Sequence, residues 1–161
     1  MIAAPPPVYP WPIGVGARYH PTAYNAPAVA GLPLGRLRCT KGAKTFAVHI
    51  ELFAQRRVVI VPPGIGVGPR GCTYPVSTSA PTGVVHVGGK ATLRDLFRVW
   101  GRRLDRSGLL TFRGRVSVFV GGRRLLGEPG AVPLTKHAQI VLEIGGHVAP
   151  HSSYLFTKGD G

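Results

Sequence analysis

One stretch of this chain has the periodicity of a good helix: TLRDLFRVWGRRL, residues 92–104. Leu93, Leu96, Phe97, Trp100 and Leu104 fall at i, i+3, i+4, i+7 and i+11 and form a single apolar stripe. Thr92 stands where an N-cap is needed, and Asp95 three residues on completes a capping box. Arg94, Arg98 and Arg102 line the side turned away from the stripe, which most simply is a solvated face. A single helix cannot bury its stripe alone, so the remainder of the chain has to supply the sheet it lies on.

The remainder alternates. TFAVHIELF has the two-residue period of a strand, AQRR can turn, and VVIVP returns, which makes a hairpin. PPGIGVGPRG punctuates the chain, and GVVHV is a short strand rich in β-branched residues. GRVSVFVGGRRLLGEP reads as a second hairpin around Gly121 and Gly122. AQIVLEIG is the last strand, with Ile140, Leu142 and Ile144 on one face and Gln139, Val141 and Glu143 on the other. The expected class is therefore α+β: a mostly antiparallel sheet of two hairpins plus extra strands, with one amphipathic helix packed on it. Residues 1–35 hold many of the 16 prolines and are expected to be a proline-rich extended tail or linker. Residues 36–157 are expected to form a single domain and residues 158–161 a disordered C-terminus.

Length and charge bound the partners. A chain of 161 residues with 44% apolar content suits one domain with a genuine core. Twenty Lys and Arg stand against six Asp and Glu, a net +14, so an anionic polymer is an expected partner. The residues proposed for it are Arg56, Arg57, Arg94, Arg98, Arg102, Arg103, Arg123 and Arg124. They are scattered along the chain and do not form one block, so a purely compositional reading competes with this one. No RNP-like, zinc-finger or basic-zipper pattern is present. No run approaches the ~20 apolar residues of a transmembrane helix. MIAAPPPVYPWPIGVG lacks the charged and uninterrupted apolar regions of a signal peptide, so an export address is not expected within this chain.

Residues able to do chemistry are sparse. None of the six histidines makes HxxxH or HExxH. His49 and Glu51, two apart on a strand, share a face and form the one plausible acid–base pair, although a pair without chemistry is the simpler reading. Ser77 or Ser79 with His86 as base lacks a nearby acid, and neither serine stands in a GxSxG elbow. Cys39 and Cys72 would close a loop in an oxidising compartment and remain reduced thiols in the cytosol.

The order of motifs carries a resemblance. Cys39, HIELFAQRRVVIVPPGIGV, Cys72 with Tyr74, GVVHV, TLRDLFRVWG, VSVFVGGRRLLGEPGAVPL, KHAQIVLEIG and a terminal SYLF together resemble an uncharacterised family of bacterial extracytoplasmic domains over residues 31–156. That family shows an HxHxH strand, a PAGIG turn, an HTHD segment and GIIHIES. The resemblance implies an envelope or secreted location, a disulfide between Cys39 and Cys72, and a metal cluster built on the histidines. Here the first two histidines of HxHxH fall on Thr45 and Ala47, and the third is kept as His49. HTHD falls on Ser77, Thr78, Ser79 and Ala80. His86 is kept, but Gly88 stands where the glutamate would be. The expectation is a non-catalytic extracytoplasmic module, not an enzyme, without a resident cofactor, partnered by an anionic polymer or an envelope protein. The alternatives are a protein binding copper or zinc weakly through His49 and His86, helped by His137 or His147, and a basic polyanion-binding protein using the arginines named above.

Overall fold

A computed structural model describes Arg18–Tyr19 and residues 34–160. In chain order the elements are β1 (Arg18–Tyr19), β2 (Phe46–Ala54), β3 (Arg57–Val59), β4 (Val76–Ser77), β5 (Val84–Val87), α1 (Leu93–Trp100), β6 (Leu104–Asp105), β7 (Gly108–Leu109), β8 (Phe112–Arg113), β9 (Val116–Val120), β10 (Arg123–Leu125) and β11 (Gln139–Ile144). The class is α+β, as the patterning requires. The main sheet follows the path β1-β3-β2-β11-β9-β10, with β5 pairing both β2 and β4; β6, β7 and β8 form a small second sheet.

Both expected hairpins are present, β2–β3 and β9–β10. Alternation could not reveal that the last strand lies between them. β11 runs parallel to β2, with Gln139 opposite His49 and Ile140 opposite Ile50, and antiparallel to β9. Placed at the centre, β11 is buried on both faces along its whole length.

The two faces are covered differently. Val48, Ile50 and Leu52 of β2, Val85 and Val87 of β5, and Ile140, Leu142 and Ile144 of β11 join Leu93, Leu96, Phe97 and Trp100 of α1 in one apolar cluster. Phe97 and Trp100 lie with ring centroids 5.4 Å apart. Each such fully buried side chain contributes about 1.5–3 kcal/mol relative to leaving it in water. At the start of α1 the Thr92 amide donates to Asp95 at 2.9 Å, and the Arg36 guanidinium reaches the same carboxylate at 2.7 Å. The helix ends sooner than its apolar period predicts. Gly101 takes the left-handed conformation (φ 71°), and its amide bonds back into the last turn. Leu104 is thereby moved out of the helical stripe into β6, and Arg102, expected on the solvent side, is half-buried.

The Cys39–Cys72 disulfide implied by the family resemblance is present, with Cα atoms 5.3 Å apart. Beside it Thr40 and Thr73 exchange backbone hydrogen bonds of 2.9 and 2.8 Å. Most of the expected proline-rich tail lies outside the described residues. Within it, Arg18 and Tyr19 pair in parallel with Val58 and Val59. At the other end, where residues 158–161 were expected to be disordered, the Asp160 carbonyl accepts from the Ala47 amide of β2 at 3.2 Å.

Candidate functional site

The second face of the sheet carries polar side chains beneath the chain that follows β11. Strand register puts Ala47, His49 and Glu51 of β2, Gln139, Val141 and Glu143 of β11, and Phe119 of β9 on this face. His49 is 2% exposed. Its ring is covered by Tyr154, stacked at 3.8 Å between centroids and 8° between planes. Room for the imidazole depends on Gly83. A Cβ there would stand 2.9 Å from His49 Nε2 and 2.4 Å from the Ile50 carbonyl, at a φ of +84°.

Both nitrogens of His49 are engaged. Nε2 lies 2.9 Å from the Thr82 carbonyl, to which it donates, and Nδ1 lies 2.6 Å from Gln139 Oε1. Gln139 Nε2 donates to Glu51 at 2.8 Å, and His151 Nδ1 donates to the same carboxylate at 2.9 Å. The expected His49–Glu51 pair thus shares a face but meets through an intervening amide. Two acceptors cannot face each other at 2.6 Å, so this orientation of Gln139 goes with a proton on His49 Nδ1. Burial pulls the His49 pKa down, while the bond to Gln139 and the charge of Glu51 oppose that shift. A neutral ring keeps a single N–H, so it cannot donate both to the Thr82 carbonyl and to Gln139 Oε1 while Gln139 donates to Glu51.

The metal expectation fares differently at its two residues. His49 and His86 fall on the same face, since His86 is opposite Ala47 and His49 opposite Val84. His86, however, bonds Ser79 at 3.2 Å through Nε2. His137 stacks on Phe156, with centroids 4.5 Å apart, and His147 bonds Glu143 at 2.8 Å. Among the described residues no group of three or more His, Cys, Asp or Glu is placed to hold a metal. Ser79 with His86 is the serine–histidine contact among the described residues, and no carboxylate orients that histidine. Gln139 and His151 were missed by sequence reasoning. Only the β2–β11 register and the path of the C-terminal segment bring them to His49.

The arginines divide between the two sides of the sheet. On α1, Arg94 leans over Gly130 and Arg98 over Gly35, on the helix side. Arg103 is taken up by Asp105 at 2.6 Å and by Ser107 at 3.2 Å. Arg124 is opposite Phe119 and so belongs to the other side. There Arg124 and Arg115 line two adjoining clefts, one of about 240 Å³ shared with Arg106 and one of about 390 Å³ shared with Phe119 and His147. The stem of Arg56 packs close to Gly146, on the wall of the larger cleft. Arg106 and Arg115 were not among the expected residues. The small sheet brings them in, through the bond from the Val116 amide to the Arg106 carbonyl at 3.1 Å. All six acids have partners: Glu51 with His151, Asp95 with Arg36, Asp105 with Arg103, Glu128 with Arg106, Glu143 with His147, and Asp160 with Thr157. Arg115 and Arg124 are left without a carboxylate partner among the described residues.

No protein-family model, no curated protein and no solved structure matches this chain.

Proposed function

We propose that the chain is a non-catalytic extracytoplasmic module, divergent within the family it resembles, that binds anionic polymers on the side of the sheet away from the helix. The observation that carries this reading is the convergence of Arg115 and Arg124 on two adjoining clefts, of which the larger also holds Glu143, itself bonded to His147 and to the Val148 amide. Guanidinium forks match sulfate, phosphate and carboxylate geometry, and neither Arg115 nor Arg124 is paired with a carboxylate among the described residues. The location rests on the disulfide, a bond that persists in oxidising compartments. No described helix is long and apolar enough to cross a membrane.

The test compares two double variants for binding to heparin across a salt series. Arg115→Ala with Arg124→Ala is expected to weaken binding about tenfold at low salt and to make the fall of log K with log salt shallower. Arg94→Ala with Arg98→Ala, on the helix side, is expected to leave both quantities near those of the parent. Equal losses would make the charge merely compositional, and absence of binding at low salt would end the reading.

A further inference from the structure

The edge of the sheet at β10 has features that a polyanion site does not need. β10 ends the strand path, and all three of its residues are exposed. The Gly121 amide donates to the Gln139 carbonyl on β11. Because amides alternate along a strand, Val120 and Val118 turn theirs toward β10 and pair with Arg123 and Leu125. The amide and carbonyl of Arg124 are therefore directed off the edge. Across this edge the two faces differ. On one lie the arginine clefts. On the other is a groove of about 310 Å³ whose lining includes Val118, Leu125, Val132 and Pro133. Leu126, shared by the groove and the smaller arginine cleft, is 88% exposed.

We propose that β10 is a docking edge for an extended peptide of a partner protein, one in which carboxylate and apolar side chains alternate. This inference rests on the anion-binding reading and names the partner. A strand added to an edge sends successive side chains to opposite faces, so alternation places acids at Arg115 and Arg124 and apolar groups against Val118 and Leu125. A short, charged edge is also a device against self-association, and two copies of β10 would bring like charges together. That device accounts for Arg123 and Arg124 but not for an apolar groove beside a fully presented leucine. A polysaccharide or nucleic acid would use the arginines and leave both the groove and the backbone edge unmatched.

The experiment uses the full chain and two fluorescent octapeptides of identical composition, one alternating glutamate and valine, the other with four glutamates followed by four valines. Anisotropy is expected to show the alternating peptide binding about tenfold more tightly than the block peptide. Leu126→Pro removes the amide that follows β10 and is expected to abolish that preference. Leu126→Asp, which keeps the amide but opposes the acids, is expected to weaken the alternating peptide as well. Equal binding of the two peptides, or a preference that survives both variants, overturns the docking edge and leaves the anion-binding reading standing. Failure of heparin and both peptides to bind overturns the two together.

Discussion

The helix-covered and tail-covered faces of the same sheet are held by different physics, and β2 shows both within nine residues. Its Val48, Ile50 and Leu52 meet α1, where burial is non-directional and contact is the only requirement. Its His49 and Glu51 meet β11 and the C-terminal segment, where each buried polar atom needs a particular partner at a particular distance. The first face supplies stability from local composition. The second fixes how the chain after β11 lies, because a shifted Tyr154 or His151 would leave His49 or Glu51 uncovered.

The contrast breaks most severely on the helix side. Trp100→Ala is expected to cost about 3–5 kcal/mol, read as a lower midpoint in chemical denaturation, because the indole is fully buried and α1 cannot collapse into its volume. Cys39→Ser with Cys72→Ser follows at about 3–4 kcal/mol, the loop-entropy value for a closure of this length. A loss well below that would mean that the Thr40–Thr73 pairing already holds the loop closed.

On the tail side the expected losses are smaller and depend on which partner is left behind. Gln139→Leu strands His49 Nδ1 and takes a donor from Glu51, for a loss of about 1–3 kcal/mol. Adding His49→Phe should recover part of that loss, since a missing pair costs less than an unpaired partner. If the double variant is worse than the sum of the two changes, the face is held by packing and the contrast between the faces dissolves.

Much of this was legible in the sequence, and the failures have physical causes. The helix, the two hairpins and the α+β class follow from local periodicity and turn residues, which neighbouring residues determine. The central position of β11 does not, because parallel pairing with β2 is a contact across about ninety residues that alternation alone cannot encode. That His49 and Glu51 share a face follows from the period of a strand. The amide between them, the Tyr154 stack and the entry of Arg106 and Arg115 into the clefts all depend on register or on loop paths. The helix end was missed although its signal, Gly101, was visible, because Leu104 continued the apolar period.

Acidification separates the faces by another route. Burial holds the His49 pKa below its ordinary value of 6.5, so the unfolded chain takes up a proton first as pH falls. The stability linked to a neutral His49 is fully present above 6.5 and is lost as pH drops below it toward the folded pKa. Midpoints of denaturation between pH 7.5 and pH 5 should fall for the parent and change less for His49→Phe. An unchanged slope in that variant would mean that His49 does not carry the dependence.

The smallest effect is a gain. The Tyr154 hydroxyl is buried and finds no partner among the described residues, and burial together with the charge of Asp160 pushes its pKa up to about 12. A hydroxyl taken out of water without a hydrogen bond opposes folding, whereas the ring that carries it covers His49 and meets Phe156 edge-on at 4.8 Å. Tyr154→Phe keeps the ring and removes the desolvated atom, so thermal and chemical denaturation should show a gain of about 1 kcal/mol. Tyr154→Leu, which keeps an apolar cover but loses the flat stack on His49, should give no gain. A loss in the phenylalanine variant would mean that the hydroxyl holds a bond no described residue supplies. The tail-covered face would then be more fully satisfied, and closer to the helix-covered face in its contribution, than its present hydrogen bonds make it.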